Sequence, residues 1–445
     1  MWFSKKNNIP QLFLLAALGS LLFGVLFGTI AAFQYLYPEV FSGIPFYKTR
    51  PLHVTSVVGW IFLASCGCIY SFLKESYSEV KLSSKLSKFH LGLFVFGGLT
   101  LLTSFVMGKF GGREYWEGHP YFSVLIVITW LFFLVNFFKA VLSIKQNWPV
   151  YLWMWTTGVV FFLFTFIESN LWQIPYFGNN VIRDLTVQWK SYGALVGSWN
   201  MLVYGIATYL IEKITKDESV GKSKLAFYMY FLGFFNLLFG WAHHIYNVPC
   251  SPIIRIVSYA VSMTELIILF KIIYGARKSV AHSKGLMKNI PFWFLLSSDV
   301  WIFLNLTMAL AISVPAINLY THGTHVTVAH AMGSTIGINT FILLGAVSYV
   351  FLQKVNGVSK AIQKQFKIGI LIFNFSLLVF WIALIVAGIT KGYNVIENKM
   401  NHYQIATKIE PYLLIFALAG VGICIALLVI VSAILKTNRQ ANNNC

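Results

Sequence analysis

Runs of about 20 apolar residues recur along the chain, separated by short polar segments. We count twelve, near 11–35, 52–74, 90–108, 121–142, 150–172, 186–211, 225–247, 253–275, 291–313, 325–352, 366–389 and 412–435. A helix rises ~1.5 Å per residue, so ~20 residues cross the ~30 Å hydrocarbon layer of a bilayer. The pattern predicts an all-α polytopic membrane protein with about twelve transmembrane helices. The polar stretches run only to about 25 residues, so residues 1–445 are expected to form one integral-membrane domain. The first block is too long, and followed by too many others, to read as a cleaved signal peptide. We find no short-period repeat and no low-complexity tract.

Composition agrees: 58% of residues are hydrophobic and 11% charged, far too apolar for a soluble domain. The net charge of +19 raises nucleic acid as a partner, but its distribution argues otherwise. With Lys5 and Lys6 cytoplasmic, alternate loops divide Lys and Arg 23 inside to 10 outside. That is the positive-inside pattern. It places both termini in the cytoplasm and the chain in the cell inner membrane as a multi-pass protein. The inner loops, rich in Lys and Arg at 74–88, 213–224, 277–288 and 354–367, favour anionic lipid. The five cysteines form no disulfide framework: Cys66 and Cys68 share a helix but face different ways, and they read as small apolar fillers. No CxxCH occurs, so no c-type haem is attached to this chain.

Few ionisable residues lie inside the blocks, and such residues are functional candidates by default. His53, Tyr192, His243, His244, His330 and Met332 all fall toward the outer ends of their helices, with Glu265 further along its own. Four histidines from three distant helices at nearly one depth suggest a cofactor layer. Imidazole is a common ligand of haem iron, non-haem iron and copper. His330 and Met332, two apart, point about 200° apart and can serve two irons on opposite sides of one helix. Adjacent His243 and His244 are about 100° apart. Near a helix end they can converge on one metal, or each can bond to a backbone carbonyl. His90 and His282, at inner ends, and His119, His322, His325 and His402, near outer ends, read as interfacial residues.

These residues resemble the catalytic large subunit of nitric oxide reductase in the haem–copper oxidase superfamily. The resemblance rests on RPLH (50–53), GREYWE (112–117), GWAHHIYN (240–247), SMTE ending at Glu265, and HGTHVTVAH (322–330). It covers essentially the whole chain and implies a haem–copper oxidase subunit I-like bundle. It implies two haems b and a non-haem iron, copper being less favoured. His53 would be an axial ligand of the low-spin haem b and His330 the proximal ligand of the high-spin haem b. His243 and His244 would bind the non-haem iron. Glu265 would lie beside or ligate that iron and handle protons. Glu114 would sit near the haem propionates, where the family holds a calcium ion; read alone, it is a loop acid beside Arg113.

Two departures qualify the match. Tyr192 stands where the family has a third iron-ligating histidine, and no histidine occurs between residues 120 and 242. Nearby family glutamates become Val196 and Asn200. Met332 replaces the second histidine of the low-spin haem; a His53/Met332 pair remains competent, at higher potential. His243, His244 and Glu265 could still form a two-His, one-carboxylate set. Tyr192 could add a phenolate ligand, a hydrogen bond or packing.

The reaction implied is nitric oxide reduction to nitrous oxide. Electrons would come from a small membrane-anchored cytochrome c subunit or another c-type donor, because this chain has no electron-entry domain. Oxygen reduction and nitric oxide dismutation are the enzymatic rivals. The tyrosine that one oxygen-reducing group carries five residues before the paired histidines is here Leu238, and the HPEVY pattern is absent. A non-catalytic haem electron carrier or NO sensor is the alternative of another class. A transporter with a histidine relay fits less well, since no helices are broken in matching halves. Protons are expected from outside, without pumping. Asp299 is expected to bond within a network of Ser297, Ser298 or Asn305, or to begin an inner proton path.

Overall fold

A computed structural model of the chain describes residues 9–246, 248–267, 286–355 and 357–443. Among them, 11 helices are long and apolar enough to cross a membrane. We label the long helices α1 (Ile9–Leu36), α2 (Phe46–Ser76), α3 (Ser84–Val106), α4 (Pro120–Val141), α5 (Val150–Glu168) and α6 (Val181–Thr215). After these come α7 (Lys224–Phe239), α8 (Pro252–Met263), α9 (Ile290–Ser313), α10 (His325–Leu352), α11 (Lys360–Ile396) and α12 (His402–Asn443). Eleven of the twelve expected blocks are thus spans. Part of the twelfth, 253–275, lies outside the described residues, as do Lys5, Lys6, Arg277, Lys278, His282, Lys284 and Cys445.

The helix starts follow from local chemistry. Ser83, Asn180 and Ser223 cap α3, α6 and α7 by accepting from Leu86, Arg183 and Ala226 backbone N–H groups. Proline opens α4 and α8, where the missing N–H costs nothing. Several helices outrun their apolar blocks. α12, at 42 residues, is about 63 Å long, twice the hydrocarbon thickness. Its Lys, Gln and Asn flanks are tolerated in helix once they leave the apolar layer.

The chain divides into two compact units. The first comprises Met1–Asn147, Leu343–Phe380 and Leu413–Cys445. α1 and α2 pack along most of its length, joined near the middle where Ser20 Oγ donates to the Ser56 carbonyl at 2.7 Å. His90 corrects its reading as an interfacial residue: it is fully buried in this unit. Its Nδ1 lies 3.3 Å from the Tyr70 hydroxyl, and Phe13 and Phe133 flank its ring. Asn136 donates to Ser87 Oγ at 2.8 Å and to Tyr70, completing a polar island supplied by three helices. Cys66 and Cys68 are buried as expected of small apolar fillers.

The second unit comprises Trp148–Ile342 and Trp381–Tyr412. Val150, Met154, Ala194, Met201, Tyr230 and Leu237 form an apolar cluster that holds α5, α6 and α7 together. Block 225–247 does not continue as α-helix. α7 stops at Phe239, and Gly240–Ile245 winds more tightly, three residues per turn.

Candidate haem and metal site

In the first unit, His53 projects from α2 toward α1. Its Nδ1 lies 2.8 Å from the Gly24 carbonyl. A carbonyl only accepts, so Nδ1 carries the ring proton and the Nε2 lone pair is left for a metal. Ligating histidines are held this way as a rule. Gly28 makes room for the ring: a Cβ there would lie 2.5 Å from His53 Nδ1.

One turn above His53, Arg50 grips two acids of the loop between α3 and α4. It pairs with Glu114 at 2.9 Å and with Glu117 at 2.8 Å. Glu114 is half exposed, whereas the Glu117 side chain is 14% exposed and its Oε2 is buried without a hydrogen-bond partner. Burial raises the Glu117 carboxyl above its ordinary value, against Arg50. These residues border a cleft of about 480 Å³ that also includes Phe46, Tyr47 and Phe110. Two carboxylates, one with an unused buried oxygen, suit a hard cation such as calcium. Glu117 was not singled out in the sequence.

In the second unit, the paired histidines lie in the tight Gly240–Ile245 segment, ring centroids 4.2 Å apart. His243 Nδ1 lies 2.7 Å from the Gly240 carbonyl, leaving its Nε2 for a metal. Ser258 of α8 donates to the same carbonyl at 3.1 Å. His244 Nδ1 is buried and has no partner among the described residues. Thus the two sequence alternatives are split: His243 bonds to a carbonyl through one nitrogen, and His244 does not. Trp189 of α6 stacks flat on His244, centroids 4.8 Å apart and planes 11° from parallel.

His322 corrects its reading as an interfacial residue. Its ring stands edge-on to His244 at 6.2 Å and to Trp189 at 6.3 Å. Burial lowers its pKa, while a hydrogen bond with the His244 backbone opposes that. Asn318, one turn earlier, donates to the His243 carbonyl at 3.2 Å and to the Ile312 carbonyl at 2.9 Å. His330 lies close enough to act electrostatically on His244, and His243 acts on His330. Four imidazoles therefore gather here, where the sequence suggested three. Only the position of His322 just before the His330 helix hinted at the fourth.

His330 and Met332 share one regular α-helical stretch, His325–Met332, so they keep their divergent directions. Directly after it, Gly333–Thr340 widens to five-residue hydrogen-bonded turns, a device common at functional sites. Asn305 of α9 steadies the junction. With its amide turned to suit both neighbours, it donates to the His330 carbonyl at 3.1 Å and accepts from Ser334 N–H at 3.2 Å. On the other side, α11 presses backbone on backbone. A Cβ on Gly388 would lie 2.3 Å from Val326 N, and one on Gly392 would lie 1.8 Å from the Tyr320 carbonyl oxygen.

Tyr192 is buried, its ring edge-on to Trp189 at 6.4 Å, and Trp189 in turn stacks on His244. Glu265 instead acts on Tyr204, twelve residues further along α6, about 18 Å from Tyr192 along the axis. Asn200 accepts from Asn339 at 3.0 Å. Lys190 ion-pairs with Glu168. Asp299 is on an exposed face, Ser297 and Ser298 donate to carbonyls of their own helix, and Asn305 serves α10. Among the described residues no three His, Cys, Asp or Glu side chains converge as a complete metal-binding group. The donors fit a metal nonetheless in their chemistry, with two neighbouring half-buried imidazoles offering Nε2 of His243 and the orphaned Nδ1 of His244.

Residues 8–422 match the family model described as cytochrome c and quinol oxidase polypeptide I. The chain is similar to a nitric oxide reductase subunit of Stutzerimonas stutzeri, 22% identical over 366 residues, covering 76% of this chain and 73% of that protein. It is also similar to a cytochrome c oxidase subunit 1 homolog of Agrobacterium tumefaciens, 23% identical over 357 residues, covering 74% and 63%. A third relative, cytochrome c oxidase subunit 1 of Rhodobacter capsulatus, is 23% identical over 364 residues, covering 74% and 64%. A cryo-EM structure of a heme-copper terminal oxidase dimer shares the fold, with a TM-score of 0.76 and 17% identity over 97% of this chain and 84% of that one.

Proposed function

The chain belongs to the cytochrome c and quinol oxidase polypeptide I family of multi-pass membrane oxidoreductases, and on that premise we propose that it reduces nitric oxide to nitrous oxide. Members of this family bind haems and a further metal at a binuclear centre and take electrons from cytochrome c. The observation that carries the finer reading is the His243–His244 pair, in which His244 Nδ1 is buried without a partner among the described residues, with no tyrosine five residues upstream. Leu238 fills that position and packs into the apolar cluster of α5, α6 and α7.

In this reading His53 and Met332 hold a low-spin haem b, and His330 holds a high-spin haem b. His243 and His244 hold a non-haem iron, with His322 at its edge. Glu114 and Glu117 hold calcium. When bound, the paired irons would offer neighbouring sites for two NO molecules and pass on two electrons; two protons complete N2O and one water. The chain's own residues do the rest. Gly24 and Gly240 fix the tautomers of His53 and His243. Trp189 holds the plane of His244 and helps keep water from it. Glu265, within electrostatic reach of Tyr204, holds and delivers protons, the second of the two roles the resemblance left open. A membrane-anchored or other c-type cytochrome is the electron donor.

Oxygen reduction is the second reading, favoured by the oxidase relatives and by the Tyr192 phenol beside Trp189. One experiment separates them: haem, iron and copper quantitation of the purified protein, with NO and O2 consumption driven by reduced cytochrome c. We expect two haems b and one non-haem iron per chain, and faster loss of NO than of O2. Copper with O2 consumption would select the oxidase. Haem without a second metal would select an electron carrier or NO sensor. Tyr192→His should raise retention of the non-haem metal; unchanged metal content and turnover would remove Tyr192 from the site.

A further inference from the structure

In the first unit a groove of about 240 Å³ opens between α1 and α12. Leu22, Leu428, Val431 and Leu435 line it, with Ser432, Lys436 and Arg439. Val431 is its buried floor, Leu428 is exposed on its flank, and both cations are exposed. The lining runs eleven residues along α12, from Leu428 to Arg439, or about 16 Å. That matches half of a ~30 Å hydrocarbon layer, one leaflet. The apolar end therefore falls at chain depth and the cationic end at headgroup depth.

The cationic end is built. Gln365 of α11 donates to the Val429 carbonyl at 3.0 Å, and its Oε1 accepts from Lys436 Nζ at 3.0 Å. The ammonium is thus held by a neutral group at a fixed place, whereas a snorkelling lysine would wander among headgroups. No acidic side chain lines the groove. Lys360, Lys364 and Lys367 begin α11 on the same helix as Gln365, adding positive charge.

We propose that this groove binds one anionic phospholipid, its acyl chain along Leu22, Leu428, Val431 and Leu435 and its phosphate on Lys436 and Arg439. Basic pockets between membrane helices recognise such headgroups. The ligand class is independent of the redox reading.

Native mass spectrometry of the full chain tests this, with phosphatidylglycerol and phosphatidylethanolamine added in equal amounts. The wild type should retain one phosphatidylglycerol preferentially. Lys436→Gln/Arg439→Gln should weaken that retention about 30-fold, two cations at the usual strength of attraction to an anionic surface. Lys436→Arg/Arg439→Lys should keep it and serves as the folding control. Ser432→Trp, filling the groove, should abolish it with both charges intact. Equal retention of the two lipids, or an unaffected Gln/Gln variant, would overturn the proposal. So would displacement of the lipid by excess inorganic phosphate, which would leave only an anion contact without the chain.

Discussion

Trp189 lies flat against His244, with ring centroids 4.8 Å apart and planes 11° from parallel. The contact crosses from α6 to the tight turns after α7. Aromatic stacking is worth roughly 0.5–1.5 kcal/mol beyond burial. Trp189→Ala should therefore speed chelator stripping of the non-haem metal about tenfold, while Trp189→Phe stays within about threefold. Equal loss in both variants would mean that the indole acts other than by stacking.

Gly28 and Gly19 make a matched pair on α1. A Cβ at Gly28 meets His53 Nδ1 at 2.5 Å, whereas at Gly19 nothing lies within 4 Å. Gly28→Ala should cost about 1–3 kcal/mol of stability. It should also erase the low-spin haem signal from the reduced-minus-oxidised spectrum. Gly19→Ala should leave the spectrum intact and raise stability by about 0.5–1 kcal/mol, the helical gain over glycine. A normal spectrum in Gly28→Ala would show that His53 is not tied to that haem.

The electrostatic reach of Glu265 to Tyr204 frames two roles for one carboxylate. As a proton donor, Glu265→Gln should keep the non-haem metal and lower turnover about 100-fold or more. Metal analysis beside single-turnover kinetics decides it. Loss of the metal in Glu265→Gln would return the carboxylate to the ligand set.

The burial of Glu117 beside Arg50 sets a pH dependence. Burial raises the Glu117 carboxyl above its ordinary 4.5. The folded state then binds this proton more tightly than the unfolded chain does. The stabilisation is fully present below the unfolded value and is lost as pH rises through the folded one. As pH rises above the ordinary 4.5, the melting temperature of the wild type should fall relative to Glu117→Gln. Calcium held by Glu114 and Glu117 should reverse the trend by favouring the ionised form. Its stabilising effect should grow with pH, and a calcium response independent of pH would contradict that assignment.

Much of the fold was readable in the apolar periods. Blocks 291–313 and 325–352 became Ile290–Ser313 and His325–Leu352 almost to the residue, because crossing a bilayer leaves few choices. His53, His243, His244 and His330 stood out as candidate ligands for a related reason: imidazoles are rare at that depth. What escaped was tertiary. The burial of His90 depends on Tyr70 and Asn136, which come from other helices. The turn of His322 toward His244 depends on where the short Pro315–Thr321 helix ends. The widening at Gly333–Thr340 has no periodic signature, and Asn305, which answers it, lies on another helix.

The glycine contacts of α11 have an evolutionary consequence. Gly388 and Gly392 touch Val326 and Tyr320 through main-chain atoms, so the segment bearing His322 and His330 is located by its backbone. Side chains between those histidines can therefore drift across descendants without moving the histidines themselves. Any lineage that replaces either glycine must shift the whole segment. Two featureless positions, remote in sequence from every candidate ligand, would then be among the last on α11 to change.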